Sequence, residues 1–124
     1  MTKKTKVLIV EDDKFILKAM TLKFESVGYT VKCAQTAEDG LVTLNSFEPN
    51  AIILDLLLPG ADGYYFLNKV KNNDKFKDVP VIIASNLSDD TDIKKAMDLK
   101  ASDYIVKSDL ELDDLVQKIS KYTK

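Results

Sequence analysis

Five short runs of apolar residues, separated by longer segments whose apolar residues recur at helical spacing, restrict the fold of this chain more than any other feature of its sequence. Runs this short, without alternating polar residues, are typical of strands that are buried on both faces. Because right-handed crossovers place helices on both sides of such strands, the alternation predicts an α/β fold with a doubly wound, five-stranded parallel (βα)5 sheet. The predicted strands are residues 7–10, 29–33, 51–54, 81–84 and 104–106.

The predicted helices carry residues that commonly begin or end a helix. Gly28 follows the apolar stripe of the first helix, and we expect it to end that helix in a left-handed conformation. Thr36 precedes Asp39 at the spacing of a capping box, which predicts the start of the second helix. Ser108 and Glu111 have the same spacing and predict the start of the last helix.

The length of the chain indicates how many domains it forms, and its charge indicates which partners it can bind. The chain has 124 residues and no Gly/Pro/Ser-rich linker or internal repeat, so we expect a single domain over residues 1–124. Its formal net charge is -2, and all 18 basic residues are lysines. Binding to nucleic acid needs a clustered excess of positive charge, and guanine is commonly recognised by the forked guanidinium of arginine. We therefore expect no nucleic-acid partner.

The cysteine content and the amino-terminal segment bear on the compartment. Cys33 is the sole cysteine and lies in a predicted strand, so it cannot form an internal disulfide and is expected to be buried. Residues 1–6 are basic, but the apolar run that follows is too short for a signal peptide or a membrane span. The sequence therefore predicts a cytoplasmic protein that does not bind a membrane.

Carboxylates stand at the predicted ends of two strands. Glu11 and Asp12 follow the first strand, and Asp55 ends the third. Doubly wound sheets bind ligands beyond the carboxyl ends of their strands, and in the strand order 2-1-3-4-5 the first and third strands are neighbours. Asp12 and Asp55 would then lie close together and repel each other unless a cation is bound. Carboxylate and carbonyl oxygens are the ligands that Mg²⁺ prefers, so Mg²⁺ is the predicted cofactor.

Two further side chains at strand ends would complete a site for phosphoryl transfer. Asp55 can act as a nucleophile through its carboxylate. Ser85 could donate its hydroxyl to one phosphoryl oxygen, and the ammonium of Lys107 could pair with another. Taken alone, each residue also has a structural explanation, because strand-end aspartates commonly cap helices, serines before asparagine commonly form turns, and lysines are commonly solvated.

Four ordered segments together resemble the response-regulator receiver family, and the resemblance covers essentially the whole chain. The segments are residues 6–13, 52–63, 79–85 and 103–107. The resemblance implies a flavodoxin-like sheet with an acidic pocket. It also implies that Glu11, Asp12 and Asp55 bind Mg²⁺ together with the backbone carbonyl of Leu57, and that Asp55 is the phosphorylated residue.

The resemblance also implies how such a domain would signal. The phosphoryl group would come from a sensor histidine kinase or a phosphotransfer protein, and no separate substrate would be turned over. Phosphorylated Asp55 would draw Ser85 inward and let Tyr104 turn toward the vacated space. The face built from the fourth helix, fifth strand and fifth helix would then change partners. The sequence does not identify the downstream protein, and its lack of arginine predicts a monomer or a weak dimer.

The chain departs from the family pattern at several positions. Ser108 follows Lys107 where most receivers have proline, which predicts either a trans peptide bond or a strained loop. Lys100 stands where a glycine commonly ends the fourth helix, and a left-handed turn there would cost on the order of 1 kcal/mol. Leu57 and Leu87 flank the path of the hydrolytic water in this family and cannot orient it. We therefore expect a long-lived phosphoryl state.

Three other classes of protein share some of these features with a receiver. Metabolite phosphatases of the haloacid dehalogenase type also use an aspartate and magnesium, but they need a second acid where this chain has Leu57. A nucleotide-binding module needs a Walker loop or Gly-x-Gly-x-x-Gly, and the sequence contains neither. A pseudo-receiver would keep the fold and dock partners without cycling phosphate, although all the matching acidic, hydroxyl and amine groups are present here.

Overall fold

The structure is a computed structural model that describes residues 4–124. Over this range one sheet of parallel strands has the order β2-β1-β3-β4-β5, which confirms the predicted doubly wound α/β fold. The strands are β1 Lys6–Val10, β2 Thr30–Ala34, β3 Ala51–Leu54, β4 Val81–Ser85 and β5 Asp103–Val106. The helices are α1 Lys14–Ser26, α2 Ala37–Thr43, α3 Gly63–Lys71, α4 Asp90–Asp98 and α5 Leu112–Tyr122, with a 3-10 turn at Lys107–Asp109.

The two faces of the sheet contribute to two separate hydrophobic cores. Leu8 and Val10 of β1 point into the core that is completed by α2, α3 and α4. Val7 and Ile9 of the same strand point into the core that is completed by α1 and α5. All four side chains are fully buried. Consecutive residues of a strand face opposite sides of the sheet. Because helices cover both sides, residues on both faces of the strand are apolar and do not alternate with polar ones.

Helix boundaries follow the local chemistry of the sequence. The side chains of Asp13 and Asp62 accept hydrogen bonds from backbone N–H groups in the first turns of α1 and α3. Thr36 does the same for α2, where its Oγ1 accepts from the N–H of Asp39 at 3.0 Å, as the capping-box spacing predicts. Gly28 has a φ of +100°, which confirms the predicted left-handed end of α1.

Helix α4 ends in a left-handed turn that is occupied by a lysine. Lys100 has a φ of 76° and is the single non-glycine residue with a positive φ between residues 4 and 124. The N–H of Ala101 donates to the carbonyl of Ala96 at 3.1 Å, and that of Lys100 donates to Met97 at 3.0 Å. These two bonds form the turn that a glycine usually occupies. Lys100 therefore adopts a conformation that costs on the order of 1 kcal/mol.

The predicted start of the last helix is wrong. Ser108 lies inside the 3-10 turn Lys107–Asp109, and the chain leaves that turn at Leu110 in an extended conformation. Glu111 is the residue before α5, and its side chain makes no capping hydrogen bond. The turn therefore separates Ser108 from the helix that it was expected to cap. The peptide bond between Lys107 and Ser108 is trans, which is one of the two predicted outcomes.

The predicted burial of Cys33 is also wrong. Strand β2 forms one edge of the sheet, and its Cys33 is exposed. The Sγ atom lies 3.1 Å from the hydroxyl of Thr21, which is a polar residue of α1. Cys33 therefore lies beside a polar residue of α1 and outside the apolar core. None of the helices described between residues 4 and 124 combines the length and the apolar character needed to cross a bilayer.

Candidate functional site

Polar side chains lie at the carboxyl ends of four strands of the sheet. Glu11 directly follows β1, Asp55 directly follows β3, Ser85 ends β4, and Lys107 directly follows β5. Strands β1 and β3 pair in parallel with Val10 opposite Leu54, so the first two of these side chains follow neighbouring positions. The helices that follow these two strands, α1 and α3, pack on opposite faces of the sheet. Ligands bind in doubly wound folds at the crevice that such a reversal creates.

The structure brings three carboxylates together at this edge. One oxygen from each of Glu11, Asp12 and Asp55 lies within 4.8 Å of the others. Glu11 and Asp55 are 2% and 4% exposed, whereas Asp12 is exposed. Carboxylates at such separations repel each other strongly, and more so where water is excluded. The cluster can therefore hold a cation, and its all-oxygen ligands suit a hard divalent ion such as Mg²⁺.

Lys107 supplies a positive charge inside this cluster. Its Nζ donates to Oδ2 of Asp55 at 2.6 Å and also forms an ion pair with Oε1 of Glu11. The lysine side chain is 9% exposed. Burial alone would lower the pKa of Lys107, but its hydrogen bonds to the two carboxylates outweigh burial and raise that pKa above its ordinary value. The ammonium therefore remains charged and partly neutralises the two buried acids.

Glu11 is the most deeply buried of the three acids. Its Oε2 accepts from the N–H of Asp13 at 3.2 Å. Its Oε1 is buried and faces the Lys107 ammonium, which it shares with Asp55. Burial raises the pKa of Glu11 to about 7, against the lowering effect of the lysine. One ammonium shared by two buried carboxylates leaves negative charge in the cluster, which fits the binding of a cation.

The segment after β3 holds the Asp55 carboxylate from the other side. The N–H of Leu57 donates to Oδ1 of Asp55 at 3.0 Å, and the Leu57 side chain is 50% exposed. Gly63, the first residue of α3, lies so close that a Cβ there would overlap the backbone of Asp55 and Leu56. The N–H of Gly63 donates to the carbonyl of Leu56 at 3.0 Å. The loop between β3 and α3 is thereby closed tightly around Asp55.

Ser85 and Tyr104 meet at one residue of the loop between β4 and α4. The Oγ of Ser85 accepts from the N–H of Leu87 at 3.3 Å, and Ser85 is fully buried. The hydroxyl of Tyr104 donates to the carbonyl of Leu87 at 2.5 Å. Tyr104 is half-buried, and burial raises its pKa above the ordinary value. Leu87 therefore links the side chains of β4 and β5 through its backbone.

Two residues of this region make contacts that the sequence does not indicate. Leu87 has an apolar side chain, but its backbone makes the bonds to Ser85 and Tyr104. Tyr64 is an aromatic residue in the first turn of α3, and its hydroxyl donates to the carbonyl of Asp92 in α4 at 3.1 Å. Bonds to the backbone of a distant element leave no periodic pattern in a sequence, so no sequence signal would have indicated them.

The fold and the site together define a class of protein. A doubly wound sheet of order β2-β1-β3-β4-β5 carries buried acids and a buried lysine at its carboxyl edge, beside a hydroxyl and an aromatic residue. The chain also matches the family model for the response regulator receiver domain over residues 7–120. The chain belongs to the response regulator receiver domain family, the receiver module of two-component response regulators.

Individual relatives agree with the family assignment. The transcriptional regulatory protein AfsQ1 of Streptomyces coelicolor is 35% identical over 101 residues, covering 82% of this chain and 44% of that protein. The KDP operon transcriptional regulatory protein KdpE of Escherichia coli is 38% identical over 103 residues, covering 83% of this chain and 44% of that protein. The chain thus spans somewhat less than half the length of these two curated relatives.

Solved structures agree with the fold. A CheY-like response regulator receiver domain protein from Methanospirillum hungatei JF-1 superposes with a TM-score of 0.89 at 27% identity. That match covers 96% of this chain and 93% of the other. The flavodoxin-like arrangement is therefore shared over nearly the whole length of both chains.

Proposed function

We propose that this chain is a phosphoryl acceptor in a two-component system, and that Asp55 receives the phosphoryl group from a histidine kinase or a phosphotransfer protein. The proposal rests on the surroundings of the Asp55 carboxylate. It is almost fully buried, it is bonded to Lys107 at 2.6 Å, and its oxygens lie beside those of Glu11 and Asp12. A nucleophilic carboxylate, a fixed cation and further acids are the groups that acyl phosphate formation requires.

Glu11, Asp12 and Asp55 would hold Mg²⁺ together with the backbone carbonyl of Leu57. The donor set supports this assignment because it consists of oxygens alone, and because the buried Glu11 and Asp55 share the single positive charge of Lys107. When bound, Mg²⁺ would supply positive charge that offsets both the repulsion among the acids and the charge of the transferring phosphoryl group.

The residues of this chain would then share the chemical step. An oxygen of the Asp55 carboxylate attacks phosphorus and forms the new O–P bond of an acyl phosphate. The P–N bond to the donor histidine breaks, and its electron pair stays on the imidazole nitrogen. The Lys107 ammonium pairs with one phosphoryl oxygen, and the hydroxyl of Ser85 donates to another.

Phosphorylation would be communicated through the contacts of Leu87. When the Ser85 hydroxyl turns toward a phosphoryl oxygen, it no longer accepts from the Leu87 N–H, and the loop before α4 can follow it. Tyr104 would then release the Leu87 carbonyl and turn toward the vacated space. The face formed by α4, β5 and α5 would change shape and exchange its protein partner, because the phosphoryl group biases two existing states.

As a signalling module, the chain would work as a single unit that switches by its own phosphorylation. Residues 1–124 act as one receiver unit, which is monomeric or weakly dimeric and makes no contact with nucleic acid itself. It turns over no separate substrate, and its activity is limited to its own phosphorylation and dephosphorylation. The apolar side chains of Leu57 and Leu87 leave the hydrolytic water unoriented and give the phosphoryl group a long lifetime. The kinase and the downstream protein are to be found by their dependence on the phosphorylation state.

The test is phosphorylation by a small phosphodonor. Incubation of the chain with acetyl phosphate and Mg²⁺, followed by intact-protein mass spectrometry, should show the mass gain of one phosphoryl group. Asp55→Asn should abolish the gain. Asp13→Asn is the matched control, because Asp13 is also acidic and lies next to the cluster but caps α1 through its side chain. Asparagine is an equally good cap, so this variant should be phosphorylated like the parent chain.

Two results would contradict the proposal. A parent chain that gains no mass with acetyl phosphate and binds no beryllofluoride in the presence of Mg²⁺ would be a pseudo-receiver. A mass gain that persists in Asp55→Asn would place the phosphoryl group on another residue.

A further inference from the structure

Tyr64 forms a direct connection between α3 and α4 outside the acid cluster. Its hydroxyl donates to the backbone carbonyl of Asp92 at 3.1 Å and lies 3.5 Å from the Oδ1 of the same residue. The ammonium of Lys95 lies over its ring, 4.1 Å from the centroid. One side chain of α3 thus contacts the backbone and two side chains of α4, by a hydrogen bond and a cation–π contact.

The other attachments of α4 are weak. Ala96 is the sole buried residue of this helix, so α4 contributes little apolar surface to the core. Its N-cap residue, Asp89, makes no side-chain capping bond within the described range. Its carboxyl end is the left-handed turn at Lys100. This helix buries little apolar surface, has no side-chain cap at its start and ends at a strained residue. Its position therefore depends more on a single interhelical contact than the positions of the neighbouring helices do.

The position of α4 is coupled to the acid cluster through the preceding loop. Leu87 bonds to Ser85 and to Tyr104, and α4 begins three residues later at Asp90. Any movement of this loop toward a phosphoryl group therefore displaces the start of α4. The bond from Tyr64 to Asp92 holds the first turn of α4 in its present place and opposes that displacement.

We propose that Tyr64 is a positioning residue that holds α4 in the unphosphorylated arrangement, so that phosphorylation must break its bond to Asp92 before the signal reaches the α4–β5–α5 face. The inference rests on the proposed function, which it deepens by naming the contact that sets the switching equilibrium. A hydroxyl bond present in one state and absent in the other stabilises the first, and its removal shifts the population toward the second.

The protonation of Tyr64 supports this role. Burial raises the pKa of Tyr64 to about 12, and the nearby Asp92 carboxylate acts in the same direction. The hydroxyl therefore remains a donor at neutral pH. The contact between Lys95 and the ring adds a second attachment that needs no hydroxyl.

The test is Tyr64→Phe, which keeps the ring and its contact with Lys95 but removes the bond to Asp92. Beryllofluoride with Mg²⁺ mimics the phosphoryl group and is titrated while tyrosine fluorescence or amide chemical shifts are followed. Loss of one neutral hydrogen bond from the unphosphorylated state should tighten beryllofluoride binding roughly three- to ten-fold. A variant that had merely lost stability would bind the mimic equally well or more weakly.

Tyr65→Phe is the matched control. Tyr65 is the next residue of α3, is 45% exposed, and has Lys69 over its ring at 5.5 Å, but its hydroxyl has no bond to α4. It should bind the mimic like the parent chain. Hydrogen exchange of α4 amides, measured without the mimic, should be faster in Tyr64→Phe than in the parent and unchanged in Tyr65→Phe.

The two measurements keep this proposal separate from the proposed function. Beryllofluoride binding by Tyr64→Phe that is unchanged or weaker than in the parent would overturn the role of Tyr64. If the parent chain binds no beryllofluoride, the phosphoryl-acceptor function fails, and exchange alone decides whether Tyr64 holds α4. Exchange of α4 that is the same in Tyr64→Phe and the parent would overturn the inference in either case.

Discussion

Lys107 and Asp55, 52 positions apart in the sequence, are joined by a hydrogen bond of 2.6 Å in a pocket where their side chains are 9% and 4% exposed. The same ammonium also pairs with Glu11, so one positive charge serves two buried carboxylates. Buried charges cost several kcal/mol each unless they are paired, and here the pairing is incomplete. The pocket is therefore negative in total and is stabilised by any cation that enters it.

Replacing Lys107 should destabilise the protein, because it increases the excess of negative charge in the pocket. Lys107→Met keeps the length of the side chain but removes its charge, which leaves two buried acids without a positively charged partner. In EDTA we expect the free energy of unfolding to fall by about 3 kcal/mol, as measured by urea denaturation. Addition of Mg²⁺ should restore more stability to this variant than it adds to the parent, because a bound ion stabilises the state that binds it best.

The control for this experiment is Lys118→Met. Lys118 pairs with Asp103 near the surface, where its side chain is 39% exposed, so its loss should have a much smaller effect. The effect should also be independent of Mg²⁺. Equal stability of Lys107→Met and the parent in EDTA, or equal stabilisation of both by Mg²⁺, would show that the lysine does not balance the acid cluster.

The topology of the sheet and the positions of the strand ends were predictable from the sequence. The parallel sheet and the approximate strand ends follow from the alternation of apolar runs with amphipathic segments, which reflects helices on both faces of the sheet, whereas the strand order is what the resemblance to the receiver family implies. Local capping was predictable where one turn contains all the partners, as at Thr36. The failures at Ser108 and Cys33 arise because a 3-10 turn and an edge-strand position depend on the surrounding fold.

The contacts that connect the candidate site to α4 could not be predicted. They join the Tyr64 and Tyr104 side chains to backbone carbonyls of a distant loop and helix. Backbone acceptors are identical at every residue, so a sequence does not mark which of them is used. The roles of the site residues in phosphoryl transfer stay predictions, to be decided by the phosphorylation experiment.

Lys100→Gly should stabilise the protein. Lysine at a φ of 76° is strained, whereas glycine adopts this conformation without a steric cost. We expect the free energy of unfolding to rise by about 1 kcal/mol in urea denaturation. Lys94→Gly, in the interior of the same helix, should lower it by a similar amount. Two changes of the same sign would mean that the left-handed turn is not the source of the effect.

Asp103 should contribute to the pH dependence of stability. Burial would raise the pKa of Asp103, but hydrogen bonds from Lys118, from the Tyr104 N–H and from Tyr122 outweigh it and lower that pKa below its ordinary value of 3.8. A lowered pKa means that the folded state binds the proton less readily than the unfolded state. The stabilisation is therefore present above the ordinary pKa and is lost as the pH falls through the lowered one.

The corresponding experiment compares urea denaturation of the parent and Asp103→Asn at neutral pH and in acid. At neutral pH the variant should be less stable by on the order of 1 kcal/mol, since the network is partly exposed. The difference should shrink as the pH falls below the ordinary pKa of aspartate. Asp74→Asn, whose carboxylate is fully exposed, should follow the parent at every pH. A gap between Asp103→Asn and the parent that widened in acid would contradict the sign of the shift.

Leu57 should slow the loss of the phosphoryl group from Asp55. Its side chain is 50% exposed beside the acceptor and offers no hydrogen bond to an attacking water. Leu57→Asn supplies an amide that can orient this water, so phosphate should be released faster, by roughly ten-fold. The decay is followed by mass spectrometry after removal of acetyl phosphate. Leu22→Asn, at a 57% exposed leucine in α1, is the control and should decay like the parent. If Leu57→Asn lost its phosphate no faster than that control, the long lifetime would have another cause.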